Sequence, residues 1–190
     1  MMRLAGRTPL LYVFLLLCLI PRTEAATRDP VWGREGMVVT AHPLATRAAV
    51  DILKSGGNAV DAAVTAAFCL GVVEGYYSGL GGGSFILYRR NRDGLVRVID
   101  ARERAPSGAH AKMYYRNGAA DRNLSRTGPL AAGVPGTMAG LAELLREDGT
   151  IPLARALAPA IELAADGFPM GLRYSRLIER ERDRLGLFPS

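Results

Sequence analysis

Nearly every residue from Ala59 to Val73 is apolar, and Asp61 is the only charge among them. At helical spacing such a run has no polar face, and a helix without a polar face must be covered on every side. It is too short to cross a bilayer. Its many alanines let neighbouring backbones approach closely, so the run predicts a central helix packed on a sheet. Asn58 is placed to cap its start, with Asp61 near the positive end of the helix dipole. The run therefore demands a layered α/β domain around it.

The flanking segments fit that frame. From Leu44 to Ser55, Ala45, Ala48, Ala49 and Ile52 recur at steps of three and four, with Arg47 and Asp51 on the opposite face. This is an amphipathic helix stopped by Gly56-Gly57. Met37-Val38-Val39-Thr40 is a short β-prone run that His42-Pro43 breaks. Ser84 to Tyr88 and Val96 to Ala101 read as two strands joined by a turn at Asn91 to Gly94. Pro106 to Gly128 is polar and irregular. A third helix opens at Pro135-Gly136-Thr137 and stops near Gly149; a fourth starts at Pro152 and ends at Gly167. Beyond it, Arg173, Arg176, Arg180, Arg182 and Arg184 interleave with Glu179, Glu181 and Asp183, the pattern of a solvated helix face.

The first 25 residues read as a cleavable export signal. Arg3 and Arg7 precede an unbroken apolar run from Leu10 to Ile20, and Thr23-Glu24-Ala25 places small residues at a cleavage point. The predicted organisation is thus a signal peptide over 1–25 and one domain portion over 26–190, exported to a periplasmic or extracellular space. No stable membrane span remains after cleavage. Cleavage removes Cys18 and leaves Cys69 alone, so no internal disulfide forms. It also removes three arginines and one glutamate, lowering the net charge from +6 to +4. That mild excess lacks the alternating aromatics of a stacking platform, which argues against a nucleic-acid partner.

Chemistry has few places to reside. The cluster Gly79, Gly81, Gly82 and Gly83 is followed by serine and a strand, not by the glycine and helix of a dinucleotide loop, and no Lys-Ser or Lys-Thr pair completes a phosphate loop. Its glycines mark a close backbone approach, which packing explains better than a ligand. His42 and His110 lack metal-ligand spacing, so no metal is implied. Ser78 lies outside any nucleophile-elbow pattern. The segment Ile99-Asp100-Ala101-Arg102-Glu103-Arg104-Ala105-Pro106 is more informative. At a strand's end, Arg102 offers a planar fork that matches a carboxylate, with Asp100 and Glu103 placed to orient it. On pattern alone a surface ion pair is the simpler reading.

Several stretches in order resemble the beginning of a γ-glutamyltranspeptidase (glutathione hydrolase) precursor. They are Gly36 to Val39, Ala48 to Ala63, Ser78 to Gly83, Ile99 to Pro106, Gly133 to Thr137 with Ala139-Gly140, and Ala164 to Phe168. Together they span residues 36–170. Ser84 stands where a glycine is often found, and Gly75 where proline is common.

The resemblance implies part of an N-terminal nucleophile hydrolase αββα sandwich, incomplete in this chain. It implies a precursor that cleaves itself into large and small subunits. The threonine freed at the small subunit's N-terminus attacks the γ-glutamyl amide, with its own amine as base. The γ-glutamyl group then passes to water or to an amino acid or peptide, and no cofactor takes part. Arg102 matches the arginine that binds the α-carboxylate of the γ-glutamyl donor, making glutathione and related γ-glutamyl compounds the expected ligands. Thr127, Thr137 and Thr150 lie outside the cleavage motif. The chain is therefore expected to carry no catalytic nucleophile and to be inactive without the missing small subunit. Two alternatives share these features: a β-lactam (cephalosporin) acylase precursor, and a non-catalytic exported protein that binds γ-glutamyl compounds.

Overall fold

A computed structural model describes residues 30–187; the expected export signal lies outside the described residues. The chain divides into two units, 1–34 and 35–190. Of the first, residues 30–34 carry neither helix nor strand. The second holds the elements that follow.

Helix α1 spans Pro43–Lys54 and α2 spans Ala59–Val73. Pro43 opens α1 at a position where its missing N–H costs nothing, and His42 caps it by accepting from the Leu44 N–H at Nδ1, 3.2 Å away. The residue read as a breaker is thus a cap. Asn58 and Asp61 form a reciprocal capping box at the start of α2: each side chain accepts from the other's backbone N–H.

Helices α3 (Thr137–Asp148) and α4 (Leu153–Asp166) complete the layer around α2. Ala45, Ala49 and Ile52 of α1, Leu141, Leu144 and Leu145 of α3, and Ala156 and Ala160 of α4 bury against Val64, Ala66, Phe68 and Cys69. The cover of α2 is therefore mainly helical, which corrects the expectation of a helix lying on a sheet. It is also incomplete. Ala59 and Ala63 are exposed, beside a groove that Met37 to Thr40 also line. Periodicity states that a helix is covered but not by what.

The hairpin pairs β1 (Ser84–Arg89) with β2 (Val96–Ala101), antiparallel, with Phe85 opposite Asp100 and Ile86 opposite Ile99. Its inner face lays Ile86, Tyr88 and Ile99 on the core, and α3 reaches it where Gly140 meets the Ala101 methyl. Its outer face leaves Phe85, Leu87, Val96 and Val98 largely exposed. An apolar outer face on a two-stranded sheet is what remains when the opposing layer of a sandwich lies in other polypeptide.

Two expectations for the loops are corrected. Met37 to Thr40 forms no strand, because no partner strand among the described residues lies alongside it. The stretch from Pro106 to Gly128 contains a second, minimal hairpin, β3 (Tyr115–Arg116) with β4 (Ala119–Ala120). Asn117 and Gly118 both take positive φ, 51° and 81°, as a tight hairpin turn requires. Helix α5 (Leu172–Leu185) buries no residue, as its mixed charges predicted. No described helix is long and apolar enough to cross a membrane.

Cys69 is fully buried, and burial pushes its thiol up to about 11. Only the thiolate attacks an alkylating reagent, so a shift from 9.0 to about 11 cuts its reactive fraction about a hundredfold. Iodoacetamide should label the folded chain at least that much more slowly than the chain in urea, as read by mass spectrometry.

Candidate functional site

The end of β2 is held by backbone packing that only glycine permits. A Cβ on Gly83 would lie 2.6 Å from the Glu103 nitrogen and 2.7 Å from the Arg102 Cα. On Gly136 it would lie 2.6 Å from the Arg102 carbonyl oxygen. These are impossible separations, so both positions exclude any side chain. The Gly82 carbonyl then accepts from the N–H groups of Gly136 and Thr137, at 3.1 and 3.2 Å, tying the glycine loop to the start of α3. Beyond the strand, Arg104 and Val134 exchange backbone hydrogen bonds of 3.1 and 2.8 Å. The glycine cluster thus packs on the strand end, fixing the backbone from 101 to 104 from three directions.

On that fixed backbone Arg102 projects with its side chain 57% exposed. Its Nε lies 3.3 Å from Glu103 Oε2, and its Cζ stands 5.9 Å from the centre of the Phe85 ring. Asp100 does not touch the guanidinium. Its Oδ1 instead accepts from the Arg102 backbone N–H at 3.0 Å, bracing the turn out of the strand. Of the two carboxylates the sequence placed near the fork, only Glu103 engages it.

Arg102 lines an open cleft of about 300 Å³ with Asp100, Arg104, Pro135, Ala139 and Glu143. The cleft carries guanidinium and carboxylate groups together, which suits a small zwitterion better than a purely anionic ligand. Larger clefts occur between α1 and α4, about 580 Å³, and along α5, about 600 Å³. Neither contains Arg102 or the strand-end motif.

The remaining candidates separate. His42 is occupied as the cap of α1 and meets the Phe168 ring edge-on at 6.3 Å. His110 is exposed. Among the described residues no three histidines, cysteines or carboxylates group as a metal site. Sequence reasoning missed Phe85 as a neighbour of Arg102. The signal was present, because an outward aromatic at this place on β1 becomes diagonal to residue 102 once the hairpin register is known.

A family profile described as Gamma-glutamyltranspeptidase matches residues 45–190. The glutathione hydrolase proenzyme of Bacillus subtilis is 43% identical over 155 residues, covering 80% of this chain and 26% of that protein. The acylase ACY 1 proenzyme of a Pseudomonas strain is 42% identical over 159 residues, covering 78% and 28% respectively. Helicobacter pylori gamma-glutamyltranspeptidase superposes with a TM-score of 0.80 at 36% identity, over 84% of this chain and 46% of that one. The chain spans about a quarter of the length of the curated relatives it matches. Its ordered motifs, its fold and this agreement along most of its length have one reading: the chain belongs to the gamma-glutamyltranspeptidase family.

Proposed function

We propose that residues 26–190 are the N-terminal portion of the large subunit of an exported, self-processing γ-glutamyltranspeptidase, preceded by a signal peptide over 1–25. In this reading Arg102 binds the α-carboxylate of a γ-glutamyl donor such as glutathione. A threonine hydroxyl on the small subunit attacks the γ-carbonyl carbon. The C–N bond breaks, the departing amine takes a proton, and a γ-glutamyl ester remains on the threonine. Water or an acceptor amine then cleaves that ester, giving glutamate or a new γ-glutamyl amide. The observation that carries the reading is the family match across 45–190, with Arg102 at a strand end packed by glycines beside a cleft of mixed charge.

The acylase relative, with the structural likeness to a cephalosporin acylase of Bacillus halodurans, supports a second reading, in which the acyl chain belongs to a β-lactam. A glutaryl chain is a γ-glutamyl group without its amino group. Both carry a far-end carboxylate, so Arg102 serves either, and the ammonium alone distinguishes them. Sites that bind a polar substrate group discriminate strongly against analogues lacking it. The full-length protein carrying this segment should therefore cleave a γ-glutamyl anilide about a hundredfold or more better, in kcat/KM, than a glutaryl cephalosporin. A preference for the glutaryl substrate would establish the acylase reading instead.

A further inference from the structure

We propose that Phe85 is a positioning residue for donor recognition, holding the Arg102 guanidinium in the plane at which it meets a carboxylate; this rests on the reading of Arg102 given above. Phe85 pairs with Asp100 across the hairpin, so Arg102 lies diagonal to it on the outer face. The Cζ of Arg102 sits 5.9 Å from the ring centre, within reach of a cation–π contact. Phe85 is 66% exposed in this chain and contributes little to its core, and of the outer-face side chains Phe85, Leu87, Val96 and Val98 it is the one aromatic.

The contacts leave the recognition edge open. Glu103 Oε2 comes nearest at Nε, 3.3 Å away, while among the described residues neither terminal Nη nitrogen donates a hydrogen bond. A guanidinium donates hydrogen bonds in its own plane and stacks through the face perpendicular to it. A ring on this side can therefore restrain the guanidinium without occupying a donor. An arginine held this way loses less rotational freedom when a carboxylate arrives, and the gain appears as tighter donor binding.

The test uses the full-length protein with two anilides: the γ-glutamyl compound and its decarboxylated 4-aminobutyryl counterpart. The ratio of their kcat/KM values isolates carboxylate recognition from general damage. Phe85→Leu and Phe85→Met should each lower that ratio about two- to fivefold, through the γ-glutamyl KM. Phe85→Tyr should retain it, as should Leu87→Ala on the same outer face. A wild-type ratio in both Phe85→Leu and Phe85→Met, or an equal loss on both substrates, overturns the proposal. If Arg102→Gln leaves the ratio unchanged, the carboxylate role of Arg102 fails and the role of Phe85 falls with it. If Arg102→Gln collapses the ratio while Phe85→Leu does not, only Phe85 is misassigned.

Discussion

Replacing Asp61 with alanine should destabilise the folded chain by about 3 kcal/mol. Asp61 is fully buried. Its Oδ2 accepts from the Asn58 N–H at 2.8 Å and from the Thr150 hydroxyl at 2.5 Å. Its Oδ1 accepts from the N–H groups of Thr150 and Ile151, at 2.8 and 3.3 Å. One carboxylate thus ties the α1–α2 corner to the α3–α4 loop, 89 residues further along the chain. Alanine would leave those N–H groups without acceptors inside the protein, at about 1–3 kcal/mol for each group that water cannot reach. In a domain of this size, about 3 kcal/mol lowers the melting temperature by roughly 6–12 °C. Circular dichroism melts of Asp61→Ala, beside the exposed-site control Glu162→Ala, would measure it.

The same group gives acid sensitivity with a definite sign. Burial pushes the Asp61 carboxyl upward, but the Thr150 hydroxyl and the N–H groups of Asn58, Thr150 and Ile151 together pull it below its ordinary 3.8. A carboxyl lowered by folding stabilises the protein above its unfolded value, and that contribution disappears as pH falls through the folded value. Asp93, held at about 2 by Arg90, titrates with the same sign. The gap between wild type and Asp61→Ala should therefore be full at neutral pH and shrink below about pH 4.

The helices were legible because their ends are written in local chemistry. Asn58 with Asp61 makes a capping box, and Gly149 and Gly167 follow the last residues of α3 and α4. What lay beside α2 was not legible, since an apolar periodicity is the same against helices or a sheet. The run Met37 to Thr40 was misread because strand propensity is fulfilled only by a partner. The Asn117-Gly118 turn was legible but was overlooked in a polar stretch; its strands are only two residues each. At the candidate site, the position of Arg102 at a strand end followed from local pattern. The glycines packing on it, Gly83 and Gly136, lie on separate segments, and only the folded arrangement brings them to the same backbone.

The second large effect concerns Arg102→Gln, which keeps most of the side chain's length and removes its charge and fork. A charge-assisted bond of guanidinium to carboxylate is worth about 1.5–3 kcal/mol, so the donor KM should rise about ten- to a hundredfold. The α-carboxylate is separated from the reacting γ-carbonyl by two methylenes and the α-carbon, and its charge does not change as the amide is attacked. Its contacts hold ground and transition states alike, so kcat should stay within about threefold. Arg102→Lys keeps the charge without the planar fork and should fall between the two. The decisive measurement is the steady-state rate of glutathione cleavage by the full-length protein carrying this segment, with Arg102 or Gln at that position. A donor KM raised at least tenfold with kcat nearly preserved is the predicted result. An unaltered KM would contradict the assignment of Arg102 as the residue that receives the donor's carboxylate.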